Sequence, residues 1–360
     1  MQNRPLWDDH PWNPLRAAEG DVDTDVCVVG LGGSGLTAID ALLDAGARCV
    51  GIDAAGVGAG AAGRNGGFLI AGTANFYHDD VRLRGAIRAR GDYIATLEEL
   101  DRIEQATPQA VVRNGSLRIA CDEKEVEDCR AQFHAMRADD LPVEWYDGPE
   151  GTGLLFPRDG AMNPLLRVRL LALRCLQRGA ALFENSPASR LQSGVVHTPR
   201  ARIRARRIII AVDGRLDRLA PSLADEVKTV RLQMIGTAPA PEVSIPRPVY
   251  ARYGWMYWQQ LPDRRVVLGG FRDAFLEQET TDELAVTAPL QDALDRFLRD
   301  ELHVRAEITH RWAGLVGYTP DREPVMEEVM TGVLAIGGYS GIGNLRGALL
   351  GRAAARWAVE

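Results

Sequence analysis

The chain has 360 residues, a formal net charge of -7, and an ordinary balance of 46% hydrophobic and 25% charged residues. That length allows one large or two medium domains around a sizeable core. The acidic balance argues against nucleic-acid binding, and no basic block suggests a phosphate track. The five cysteines, Cys27, Cys49, Cys121, Cys129 and Cys175, form no CxxC pair. An odd, scattered set argues against a disulfide framework and for a reducing compartment, and no His/Cys cluster stands at metal-ligand spacing.

In chain order, the segment from Met1 to Thr24 is acidic and lacks the apolar core of a signal peptide. No apolar run reaches the ~18 residues of a membrane span, so the cytoplasm is the default expectation. Val26 to Val29 then reads as a strand buried on both faces. Gly30-x-Gly32-Gly33-x-Gly35 follows at once. Leu36, Ile39, Leu42 and Leu43 recur at helical spacing up to Gly46, and a second strand, Arg48 to Ile52, ends in Asp53 and Ala54. This is the dinucleotide fingerprint in its required context. Gly30 allows the tight turn, Gly32 the approach of a pyrophosphate, and Gly35 close packing of helix on strand. The helix start at Gly33 and Ser34 offers free N–H groups and partial positive charge to phosphates. Asp53 stands about 20 residues after the glycines, where an acid accepts hydrogen bonds from a ribose diol. The fingerprint alone does not choose between NAD and FAD.

The next motif is "GVGAGAAGRNGGFLIAG", Gly56 to Gly72. Such glycine density predicts backbone passing close to something flat or charged. It resembles the GRNGG segment of the D-amino-acid-oxidase-like (DAO) FAD oxidoreductases, a superfamily that includes glycine oxidase, sarcosine oxidase and γ-glutamylputrescine oxidoreductase. The resemblance implies that Gly60, Ala61, Ala62, Arg64, Asn65, Gly66, Gly67 and Phe68 follow the cofactor toward its ring. Three further segments agree. Ala161–Leu191 is similar to the family's helix and strand returning to the FAD domain, with Ala188 near adenine. Arg206–Gly214, "RRIIIAVDG", is similar to its third strand and includes Ala211. The C-terminal "RWAGLVGYTPD…GGYSGIGNLRGALLG" resembles the closing signature, through which Gly314, Gly338, Ser340, Gly341, Ile342, Gly343, Asn344 and Leu345 would lie beside the isoalloxazine. A helix starting near Asn344 would aim its positive end at the edge where charge accumulates on reduction. The opening segment and "RYGWMYWQQLPDRRVVLGGFRD" point to the γ-glutamylputrescine oxidoreductase branch.

The family pattern implies an α/β fold: a Rossmann-like FAD-binding domain (1–78, 151–222, 306–360) interleaved with an α+β substrate domain (79–150, 223–305) on a mixed, largely antiparallel sheet. Strands are expected at Gly115–Ala120 and Leu232–Ala238. A hairpin joins Trp255–Gln260 to Val266–Phe271, and an amphipathic helix spans Leu290–Leu302. In "YGWMYW", alternation would put Tyr253, Trp255 and Tyr257 on one face, which either roofs a substrate pocket or packs an ordinary core. Tyr318 and Arg272 are further pocket candidates.

Departures from the family pattern bear on the reaction. The Arg that clamps substrate carboxylates in amino-acid-oxidising members is replaced by Val316 in "AGLVG". Either another arginine (Arg64, Arg252 or Arg272) takes that role or the substrate lacks a carboxylate near the reacting carbon. The strand "RVVLGGF" has no Lys to speed reaction with O2; the only lysines are Lys124 and Lys228. No Cys lies near Thr319-Pro320-Asp321, which predicts non-covalent FAD, and Ile342 replaces a polar family residue. The resulting expectation is an FAD-dependent oxidoreductase acting on the C–N bond of a small amine or amino acid. Its electrons pass to O2 or another acceptor, with no nucleic-acid partner, and the oligomeric state is left open. The alternative is a non-catalytic or degenerate FAD-binding subunit of a larger complex.

Overall fold

In the computed structural model, which describes residues 3–360, the chain divides into two compact units. The first comprises the segment ending at Leu6, Asn65–Asn163 and Arg231–Gly314; the second comprises Trp7–Arg64, Pro164–Val230 and Leu315–Glu360. The expected domain boundary at 78/79 differs from the unit boundary at 64/65. The reason is local pairing: Phe68–Leu69 and Val111–Val112 both pair with Gly160–Met162 in a small sheet of the first unit.

The second unit is built on five parallel strands. Gly20–Val29 pairs with Ala201–Ile210 on one side and Cys49–Ile52 on the other. Val333–Gly337 extends the sheet beyond the first, and Ala181–Phe183 beyond the second. Alternation divides the central strand between two cores. Val26 and Val28 pack with Leu36, Ile39, Leu42, Val168, Leu171 and Ala354 from the helices Gly33–Asp44, Pro164–Gln177 and Gly343–Val359. Cys27 and Val29 pack on the opposite face with Ile208, Ile210, Leu216 and Leu223. Burial on both faces is why these strands read as continuous apolar runs. The first helix stops where Gly46 adopts φ +76° and donates to Leu43 O.

The first unit carries a mixed sheet in the order Ile308–Tyr318, Lys228–Pro239, Arg265–Gly270, Met256–Gln260, Val249–Ala251, Ser116–Ile119, Gly151–Phe156, Glu144–Gly148. Val249–Ala251 runs parallel to Ser116–Ile119, whereas the hairpin strands are antiparallel. Helix Ala288–Asp300 covers one face through Leu290, Leu294 and Leu298, four residues apart. The other face packs Tyr93, Leu97, Cys129 and Met136 from helices Ala86–Ala106 and Glu123–Ala138. All five cysteines are free. Among the described residues, no helix is long and apolar enough to cross a membrane.

The expected alternation of Tyr253, Trp255 and Tyr257 is corrected. Arg252 (φ +52°), Tyr253 (φ +57°) and Gly254 (φ +86°) form a left-handed turn, so the strand begins only at Met256. Tyr257 alone of the three lies on the strand, because period-2 facing holds only for extended backbone.

Candidate cofactor site

The glycine loop in the second unit is set by two close approaches. Gly30 has φ +112°, and a Cβ there would stand 2.6 Å from Ala211 O; a Cβ on Gly35 would stand 2.0 Å from Gly30 O. Ala211 therefore lies beneath the loop. Gly32 is different. Its backbone is extended, and an added Cβ would meet only Ala62 Cβ, at 3.3 Å. A small shift of Ala62 would accommodate it, so the chain demands glycine there far less than at Gly30 or Gly35. Helix Gly33–Asp44 has no capping side chain and no acid in its first turn, so its N–H groups and dipole are left for an anion.

Asp53 accepts from Leu31 N and Ala55 N, each at 2.9 Å, one bond to each carboxylate oxygen. Burial pushes its pKa up, and these two bonds pull it back down. The next residue, Ala54, is exposed. Sequence reasoning missed Glu184, at the end of strand Ala181–Phe183. It accepts from Trp12 Nε1 (2.9 Å), Leu15 N (2.6 Å) and Val57 N (2.7 Å). Ser186 Oγ accepts from Ala18 N. These bonds lay the N-terminal segment along the strand ends beside Asp53, and Ala188 packs partly buried nearby in the same unit.

The second motif turns through Ala61–Gly63. Gly60 faces open space, whereas a Cβ on Gly63 would strike Gly58 O at 2.3 Å. Arg64 is half-buried, and burial draws its pKa down. A second residue that sequence reasoning missed is Arg167, on helix Pro164–Gln177. It is 4% exposed, and a Cβ on Gly33 would lie 2.7 Å from its Nη1. A buried guanidinium thus stands at the positive end of the first helix. Its only signal in the sequence is an Arg at a core-facing position of an amphipathic helix.

The C-terminal turn has three left-handed residues, Gly338 (φ +70°), Ser340 (φ +50°) and Gly341 (φ +92°). Ser340 donates its N–H to Gly317 O, and its Oγ accepts from Thr319 N at 3.2 Å. Tyr318 Oη would lie 3.1 Å from a Cβ on Gly341, so Tyr318 stands directly by this turn. Helix Gly343–Val359 also lacks a capping side chain and a first-turn acid. Leu345 is buried in its first turn, while Ile342 and Asn344 are partly exposed. The Tyr339 ring packs on Gly343, and its buried hydroxyl, beside Ser34, has no partner in hydrogen-bonding geometry.

Asn65, Gly66, Gly67, Phe68 and Gly314 belong to the first unit. Asn65 Oδ1 accepts from Gly67 N, and Gly67 O accepts from Met162 N. Gln259, buried on strand Met256–Gln260, donates to Gly66 O. Tyr257 meets Phe68 edge-on at 5.9 Å between centroids, and its ring lies across Gly269. Arg272 stacks on Trp255 at 5.7 Å. Tyr253 packs on Phe76 and donates its N–H to Glu125. Arg252 is committed to an ion pair with Asp273. Val316 is buried and apolar, with no cation of its own to offer.

The chain is 28% identical to "Probable oxidoreductase OrdL" of Rhizobium meliloti (strain 1021), over 90% of this chain and 80% of that protein. It is 26% identical to the gamma-glutamylputrescine oxidoreductase of Escherichia coli (strain K12), over 94% and 84%. Its fold is similar to that of glycine oxidase from Geobacillus kaustophilus, with a TM-score of 0.77 and 20% identity over 94% and 95% of the two chains. The model of the FAD-dependent oxidoreductase (DAO) family matches residues 25–357, and the chain belongs to that family of enzymes.

Proposed function

We propose that this enzyme oxidises the C–N bond of a small primary or secondary amine to an imine, which water then hydrolyses. When bound, FAD supplies the two-electron acceptor, taking a hydride at N5 from the carbon beside the substrate nitrogen. The residues fit that cofactor. The uncapped start of helix Gly33–Asp44, with Arg167 against it, suits the diphosphate. Asp53 suits the ribose, and the uncapped start of helix Gly343–Val359 suits the electron-rich edge of the ring. With no Cys near Thr319-Pro320-Asp321, the cofactor is held without a covalent bond.

The first unit's part is to hold the substrate and exclude water. Tyr257, backed by Phe68, presents aromatic surface, and weakly solvated surroundings favour the neutral amine that is needed for oxidation. The substrate class rests on Val316. A buried valine stands where the family pattern puts a carboxylate clamp, and Arg252 is spent on Asp273. A nitrogen compound as substrate is supported by relatives named as a gamma-glutamylputrescine oxidoreductase and a glycine oxidase.

The test is anaerobic. The FAD-loaded protein is mixed with a panel of amines and α-amino acids, and loss of the oxidised flavin's visible absorbance is followed. Bleaching by amines without an α-carboxylate is the expected result. Bleaching by α-amino acids alone would move the reading to an amino-acid oxidoreductase that uses Arg64 or Arg272. A yellow protein that nothing bleaches would favour the non-catalytic alternative.

A further inference from the structure

Asp213 has no part in the function described so far. It follows strand Ala201–Ile210, and its Oδ1 accepts from Gly338 N at 2.9 Å and Tyr339 N at 3.2 Å. The Gly317 N–H also faces this carboxylate and helps pull its pKa down. Three segments therefore meet at one side chain, and they meet closely. A Cβ on Gly317 would lie 2.9 Å from Asp213 Oδ1, one on Gly214 2.7 Å from Leu315 O, and one on Gly337 3.0 Å from Val212 O. The turn so held is one the backbone would not choose by itself. It has left-handed φ at Gly338, Ser340 and Gly341, and Ser340 has a Cβ to accommodate there.

The geometry fixes more than position. A trans peptide is planar, with N–H and C=O opposed. With the N–H groups of Gly338 and Tyr339 drawn onto Asp213, the carbonyls of Gly337 and Gly338 face the opposite way. Asp213 thus aligns two successive peptide dipoles and puts a negative charge behind them. Its burial pushes the carboxyl up to about 6 against the pull of three N–H groups, so it is ionised at pH 8.

We propose that Asp213 is a positioning residue for the flavin, fixing the Gly337–Tyr339 peptides against the ring and lowering the potential at which the cofactor accepts electrons. This rests on the reading that the Gly338–Gly343 turn lies beside the isoalloxazine. The direction follows from charge: reduction adds negative charge to the ring, and a nearby carboxylate opposes it.

The test compares wild type, D213N and D213A at pH 8. FAD affinity is measured on apoprotein by fluorescence, and the midpoint potential of bound FAD by reduction against a reference dye. Asparagine keeps an oxygen for the backbone N–H groups and discards the charge. D213N is therefore expected to retain FAD with a midpoint shifted to more positive potential. D213A strands those N–H groups and is expected to bind FAD ~10-fold or more weakly. An unshifted midpoint in D213N overturns the proposal, even if D213A fails to fold. D213A binding FAD as wild type does also overturns it. A wild type that takes up no FAD overturns both this inference and the cofactor assignment on which it rests, whereas an FAD-loaded wild type with an unchanged D213N defeats this inference alone.

Discussion

Gly32 and Gly35 look equivalent in the sequence and are not equivalent in the fold. A side chain at Gly35 meets backbone 2.0 Å away, and the residue is glycine because strand, loop and helix close on one another there. Gly32 is extended, and a side chain there meets only the Ala62 methyl, at 3.3 Å, so the fold's own demand for glycine is much weaker and a ligand's demand can dominate. Gly35→Val is expected to destabilise even the apoprotein, by ~3 kcal/mol or more. Gly32→Val is expected to cost the apoprotein less, ~1–2 kcal/mol as Ala62 gives way, and to abolish FAD uptake by steric block. Denaturant unfolding of the apoproteins and flavin absorbance after reconstitution check the pair, and a yellow Gly32→Val protein would refute the assignment. Asp159 was not legible at all, because an acid before Gly160 reads as an ordinary turn residue. In the fold it is buried, accepting from Ser116 Oγ at 2.7 Å and Ala71 N at 3.1 Å, and burial pushes its pKa up to about 7. Its folded pKa lies above the unfolded value. The stability it contributes is therefore complete below pH ~4 and is lost as pH rises through 7, at up to ~1.4 kcal/mol per unit. Asp159→Asn is expected to gain stability relative to wild type between pH 4.5 and 8. Parallel pH-stability curves for the two proteins would show the expectation to be wrong.

At the level of elements, the fingerprint and its flanks were readable because local signals agree there: an apolar run, glycines, helical spacing, and an acid after the second strand. The strand–helix–strand order and the closing helix appear as expected, but the first strand begins at Gly20, six residues before the apolar run that marks it, because Gly20–Thr24 pairs with Ala201–Ala205 although its own residues are largely polar. What failed was facing. Alternation predicts one face for Tyr253, Trp255 and Tyr257, but period 2 holds only for extended backbone, and left-handed φ at Arg252, Tyr253 and Gly254 interrupts it. The helix charge at the cofactor was only half visible. The free start of helix Gly33–Asp44 follows from the motif, but Arg167 comes to it from another helix far along the chain, through tertiary packing that no spacing rule encodes. Arg167→Met keeps the bulk and removes the cation. FAD affinity of the apoprotein is expected to fall ~10-fold, in keeping with a lost charge-assisted contact to phosphate, and the salt dependence of binding is expected to flatten. Calorimetric titration at two ionic strengths measures both, and an unchanged affinity at low salt would remove Arg167 from the site.

Over the whole molecule, the interleaving of two units was accessible only through resemblance, because nothing in composition marks where the chain leaves one unit for the other. The crossings fall inside strands such as Lys228–Pro239 and Ile308–Tyr318, and a strand shows no break in pattern at such a point. The fate of the electrons is likewise a property of the whole chain, since it depends on which cations the fold leaves near the ring. One-electron reduction of O2 builds negative charge, which a nearby ammonium stabilises. This chain has two lysines to offer. Lys124 is exposed on helix Glu123–Ala138, paired with Asp128 at 2.9 Å, and Lys228 is exposed and bonded to Ala224 O. Strand Arg265–Gly270, where the sarcosine-oxidase pattern carries its lysine, has only Arg265, turned back onto Asp263. Reoxidation of the reduced enzyme by air is therefore expected to be at least ~10-fold slower than by an artificial quinone, the behaviour of a dehydrogenase. Stopped-flow recovery of flavin absorbance against each acceptor decides the matter. Air matching the quinone would mean that a guanidinium or a helix start serves O2 as well as an ammonium does.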